Sequence, residues 1–134
     1  MIGKLRDFFI GCPFLEPSNQ HGFVVVGVDY LQAETAAYSI ESMGGAVWHQ
    51  EFYNKGHGIK RLDFAFSSIQ PFSPEEATTI GNVQFFEKLD EWTQSQRFPH
   101  PFIEIEFTRP QIDYIDEGEK KAQYKIIGVL KYSV

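Results

Sequence analysis

The sequence predicts an α+β fold: a mainly antiparallel sheet of about five to six strands, with two main helices packed on one face and a single domain over 1–134. Three features lead there. Residues 121–132 alternate without a break, Ala122, Tyr124, Ile126, Gly128, Leu130 and Tyr132 on one side and Lys121, Gln123, Lys125, Ile127, Val129 and Lys131 on the other. Ser73-Pro74-Glu75-Glu76 carries the residues of a capped helix start, with Ser73 as N-cap, Pro74 at the first helical position and Glu76 closing a capping box. The elements follow one another as α-β-β-β-β-α-β-β, the order of a sheet with helices gathered on one side.

Taken along the chain, Ile2, Leu5 and Phe9 recur at helical spacing and predict a short amphipathic helix. Gly11 is placed to cap it and Pro13 forbids its continuation. Residues 16–22 read as loop. Phe23 to Tyr30 is β-branched and apolar and reads as a strand. Residues 31–36 form a helical turn or a loop, and Tyr38–Glu41 a short strand closed by Gly44-Gly45. Ala46 to Tyr53, with Trp48, Phe52 and Gln50 on one face, and Ile59 to Ser68, with Leu62, Phe64 and Phe66 on one face, flank the turn Asn54-Lys55-Gly56-His57-Gly58 and predict a hairpin. The second helix runs towards Ser95 with Phe85, Phe86, Leu89 and Trp92 as its stripe. Ile80 falls about half a turn off that stripe, so that Gly81-Asn82 kinks the helix or Asn82 restarts it. Phe98-Pro99-His100-Pro101 is a rigid linker. Ile103, Ile105 and Phe107 point inward from the next strand, which Pro110 ends or marks as an edge; Ile112, Tyr114 and Ile115 make a further strand before the turn at Asp116-Glu117-Gly118-Glu119.

Composition narrows the function classes. No stretch approaches the roughly 18 apolar residues of a membrane span, and the N-terminal apolar runs are too interrupted for a secretory signal. Cys12 is the sole cysteine, so no intrachain disulfide forms and a reducing compartment fits. A net charge of −6 opposes non-specific binding to DNA phosphates. That charge is uneven: residues 104–119 hold Glu104, Glu106, Asp113, Asp116, Glu117 and Glu119 against Arg109 alone, while 120–134 hold Lys120, Lys121, Lys125 and Lys131 and no acid. The plain reading is two neighbouring strands with complementary solvent faces. The sharper one is a subunit with an acidic and a basic edge that meet head to tail, with Lys121, Lys125, Lys131, Glu104 and Glu106 as oligomer-interface residues.

No set of residues reads as catalytic, cofactor-binding or metal-binding. His49 and His57 flank a hairpin without a third ligand, and His21 and His100 sit in loops. Cys12 lacks a basic partner that would make it a nucleophile. The acids alternate outward from apolar neighbours, and neither Gly44-Gly45 nor Gly56-His57-Gly58 has phosphate-loop spacing. By contrast 21 aromatic rings exceed what a core of this size takes in, which predicts exposed rings at an interface.

Several segments, in order, resemble the minor capsid, or tail terminator-like, proteins of tailed phages and prophages of Gram-positive bacteria. They are Cys12-Pro13-Phe14-Leu15 after a short helix, Val28-Asp29-Tyr30-Leu31, Tyr38-Ser39-Ile40-Glu41, and a hairpin ending in Asp63-Phe64-Ala65-Phe66-Ser67-Ser68. A helix with Phe85-Phe86-Glu87-Lys88-Leu89 and Trp92 follows, then a turn from Tyr114 to Glu119, Ala122-Gln123-Tyr124-Lys125-Ile126 and Leu130-Lys131-Tyr132. The resemblance spans nearly the whole chain and departs from the family pattern at Gly44–His49 and Phe98–Phe102. It implies a non-enzymatic structural subunit, without a cofactor, that self-associates into a ring, commonly a hexamer, at the head-proximal end of the tail tube. Its partners would be the tail tube protein and the head connector, with DNA passing through the ring unbound and no membrane involved. It would be assembled in the bacterial host cytoplasm and end in the virion. The alternatives are another neck or tail-completion component, a domesticated prophage remnant, or a small-molecule-binding α+β domain using the sheet near Trp48, Tyr53 and His49.

Overall fold

In a computed structural model of the chain, residues 1–18, 20–31, 37–53, 56–73 and 75–134 are described, without the side chains of 76–79. The expectations for 32–36, for Asn54-Lys55, for Pro74 and for the Glu76 side chain lie outside the described residues. Among the described residues, two helices, α1 (Ile2–Ile10) and α2 (Glu76–Ser95), and six strands follow in the expected order: β1 (Val26–Val28), β2 (Tyr38–Ser42), β3 (Val47–Glu51), β4 (Gly58–Pro71), β5 (Phe102–Asp116) and β6 (Lys121–Ser133). They form one sheet ordered β1-β2-β4-β6-β5, with β3 beside the start of β4. Every pair is antiparallel except β1 with β2. The architecture is therefore α+β.

The core lies between the sheet and the helices. Along β6 the expected alternation is the observed one, every second residue from Ala122 to Tyr132 buried. The facing residues of β4, Leu62, Phe64 and Phe66, meet Leu5 and Phe9 of α1 and Phe86 and Leu89 of α2 in one buried cluster. Phe9 is its hub, with ring centroids 5.4 Å from Phe66, 6.0 Å from Phe107, 6.1 Å from Phe64 and 6.4 Å from Trp92. A nine-residue helix is short for independent stability, so this packing is what holds α1. Gly11 does cap α1, but in the right-handed region at φ −73°, so its special freedom is not used.

Several expectations need correction. The strand expected over Phe23–Tyr30 is only Val26–Val28, because Asp29 takes φ 55° and turns the chain. Its carboxylate accepts from Ser42 N–H at 3.1 Å and its own N–H donates to Ile40 O at 2.8 Å. The N-cap of α2 is Glu75, not Ser73; the Ser73 hydroxyl instead accepts from Glu75 N–H at 3.1 Å. Residues 102–116 form one strand rather than two, and Pro110 lies within it on the sheet edge, where a missing N–H is tolerated. Register shifts between Phe102 and Glu104, and between Phe107 and Pro110, re-aim the strand, so Phe102 and Ile105 are buried while Ile103 is exposed.

Gly81-Asn82 neither kinks nor restarts α2, which is continuous. Asn82 is buried, and its Nδ2 donates to Pro71 O at 2.8 Å and to Tyr124 Oη at 3.2 Å, tying helix, β4 and β6 together. Asn82→Leu leaves both acceptors without that donor in the interior. It should cost about 1–3 kcal/mol in urea unfolding, and an unchanged midpoint would show that the tie carries no stability.

Candidate functional site

The helix-free face of the sheet carries the charges. Its rows run across strands: Arg61 of β4, Lys131 of β6 and Glu104 of β5 in one, Asp63, Val129 and Glu106 in the next. Lys131 Nζ lies 3.6 Å from Glu104 Oε2, Lys125 Nζ lies 3.1 Å from Asp113 Oδ1, and Lys121 stands across from Asp116. A hydrogen bond between the Glu104 and Glu106 carboxyls holds Glu104 below the usual carboxylate range, assisted by Lys131. The same bond and the neighbouring charge push Glu106 above it.

The five residues expected to build an interface are thus brought onto one face, and most of their partners are in their own chain. This corrects the idea of separate acidic and basic edges, because β6 sits between β4 and β5 and its lysines line no edge. Lys125→Glu replaces a surface pair worth about 1 kcal/mol or less. Thermal unfolding should therefore shift little, and a collapse of the fold would mean that the face is more tightly coupled than its exposure suggests.

The exposed rings lie elsewhere. Of 21 rings, seven are exposed: Phe14, Phe23, Tyr30, Trp48, Phe52, Tyr53 and Tyr114. Three of these belong to the β3–β4 hairpin, where every residue of β3 is exposed. Tyr53 is fully exposed, at 103% of its reference area. Lys60 Nζ stands 4.9 Å from the Trp48 ring centroid, a cation–π contact that orders one face of the indole. Gly58 lets the strands approach here, since a Cβ at that position would strike the Gln50 carbonyl. This hairpin forms an aromatic arm at one flank of the sheet. The opposite flank is β5, with Ile103, Ile112, Tyr114 and Ile115 exposed along it.

Among the concave regions bounded by described residues, one of about 460 Å³ lies between Phe72 and Ser73 after β4 and Glu117 and Lys120 of the β5–β6 turn. Another of about 300 Å³ is bordered by Lys4, Asp7, Phe8, Pro99, His100 and Phe102, and one of about 240 Å³ by Phe14, Tyr38, Asn82 and Phe85 among others. None of the three is lined by Trp48, Tyr53 or His49. Among the described residues no group of three or more His, Cys, Asp or Glu is arranged to hold a metal ion. Cys12 is buried, and burial raises its thiol pKa, which disfavours the thiolate. Among the described residues no helix is long and apolar enough to cross a membrane.

The alternation of Trp48, Gln50 and Phe52 gave no sign that both faces of β3 would be uncovered, and the Lys60–Trp48 contact was missed. Its signal was the hairpin register, which sets those residues opposite each other. Compared with known proteins, the chain matches no protein-family model and no curated protein.

Proposed function

We propose that the chain is a structural, non-enzymatic component of a phage or prophage tail. It would be a terminator or head–tail joining subunit, closing into a ring at the head-proximal end of the tail tube. The observation that favours this reading most is the unlike pair of flanks on one sheet. The aromatic arm of β3 and the start of β4 lies on one side, and the acid-rich strand β5 on the other. A ring requires a heterologous interface in which two different surfaces meet and the rotation closes. Exposed aromatic side chains are the type of surface that such interfaces bury. The resemblance described above supplies the setting: tail tube and head connector as neighbours, commonly six copies, and a lumen through which DNA slides without being held.

The test is compositional and positional. Particles released by the strain that carries the gene should contain this chain, and antibody labelling should mark the head–tail junction. Abundant protein in the lysate with none in purified particles would contradict the reading. The cleft between Phe72 and Lys120 favours a second reading, a binding domain for a small molecule with an apolar part. That reading predicts a monomer whose melting temperature rises with a ligand.

A further inference from the structure

At one end of the sheet the strands run β3, β4, β6, β5, linked through Val47 opposite Arg61, Arg61 opposite Lys131, and Lys131 opposite Glu104. Each neighbour is antiparallel to the next, so β3 and β5 point in opposite directions. Among the described residues, neither the outer side of β3 nor that of β5 is paired with another strand. A second copy, rotated so that its sheet continues the first, therefore brings its β3 antiparallel to this β5, the more stable mode of pairing.

We infer that copies of the chain join by adding β3 of one to the free edge of β5 of the next, making a sheet continuous across subunits. This rests on the ring-forming reading and specifies its interface. Charge argues against the alternative: β5 carries Glu104, Glu106, Asp113 and Asp116 against Arg109, whereas β3 carries Glu51 alone, with Lys60 beside it on β4. Pairing β5 with another β5 would set acids against acids, which is destabilising across strands. Apolar surface is present on both partners, Val47 and Trp48 on the arm and Ile103 on β5. Because the two joined edges differ, every copy keeps one of each, and growth stops only when the ring closes.

Cross-linking tests this. Val47 stands in the row of Glu104, two residues from Glu106 on the same face, and Val47 and Glu106 are both exposed, so cysteines there should leave the fold intact. Three proteins are made on a Cys12→Ser background, Val47→Cys, Glu106→Cys and the double variant, and each is treated with a short bis-maleimide. Folding is checked by circular dichroism. The expected result is a covalent ladder up to the native copy number from the double variant, dimers only from a mixture of the two single variants, and monomer from either single variant alone. Dimers from Glu106→Cys alone would mean β5-to-β5 pairing and overturn the inference. A large native mass without cross-links would overturn it while leaving ring formation standing. A chain that stays monomeric at every concentration would overturn it as well, and the particle composition then decides the tail reading separately.

Discussion

Gly128→Val is expected to destabilise the protein by about 2–3 kcal/mol, from overpacking. Gly128 lies midway along β6, opposite Phe64 of β4 and Phe107 of β5. A Cβ added there would enter the Phe64 ring, meeting Cζ, Cε1 and Cε2. Phe64 and Phe107 pack edge to face at 5.8 Å over this gap, and Phe9 contacts both. Phe64 is fully buried and hemmed by these rings, so it cannot swing aside freely. A β-branched residue gains up to about 1 kcal/mol of strand propensity, which the clash exceeds. Urea unfolding should show a lower midpoint at unchanged slope. Phe64→Leu should relieve part of the cost, since the two sites share one space. A Gly128→Val protein as stable as the parent would mean that the notch is not needed.

Phe86→Ala should cost about 3–5 kcal/mol, the usual range for a ring deleted from a closed core. Phe86 is fully buried in the middle of α2, 5.1 Å from Phe85 and 6.1 Å from Tyr124 between ring centroids. Against a total stability of about 5–15 kcal/mol, that loss is large. Trp92 is only partly buried against the same core, so Trp92→Ala should cost less. Thermal denaturation of both variants checks the order. Equal effects, or none at Phe86, would place the helix stripe on the wrong residues.

The parts of the fold that follow from local periodicity were legible in the sequence. The alternation of β6, the inward Leu62, Phe64 and Phe66 and the Phe86–Leu89 stripe each place their own residues, and the order of elements follows from them. What escaped depends on contacts between distant segments. Asp29 ends β1 because its carboxylate finds Ser42, a partner thirteen residues away. Ile103 faces outward because a register shift in β5 turns it there. The acid-rich and lysine-rich segments looked like two edges because nothing in their composition says that β6 pairs with β4 on its other side.

The candidate surface was legible in kind. An excess of rings announced exposed aromatics, and seven are exposed. Three of them gather on one hairpin because β3 pairs with β4 alone, off the path of the other strands, and all its residues are exposed. The charged residues singled out in the sequence lie together on the helix-free face, where Lys125 pairs with Asp113 and Lys131 with Glu104.

The central claim is that unlike flanks of one sheet hold copies of this chain together. Sedimentation velocity of the isolated protein over a wide concentration range, with negative-stain images of the fastest species, tests it most directly. One discrete, fast-sedimenting species of fixed copy number that images as a closed ring is the expected result. A single slow boundary at the mass of one chain, unchanged at the highest concentration, would contradict it.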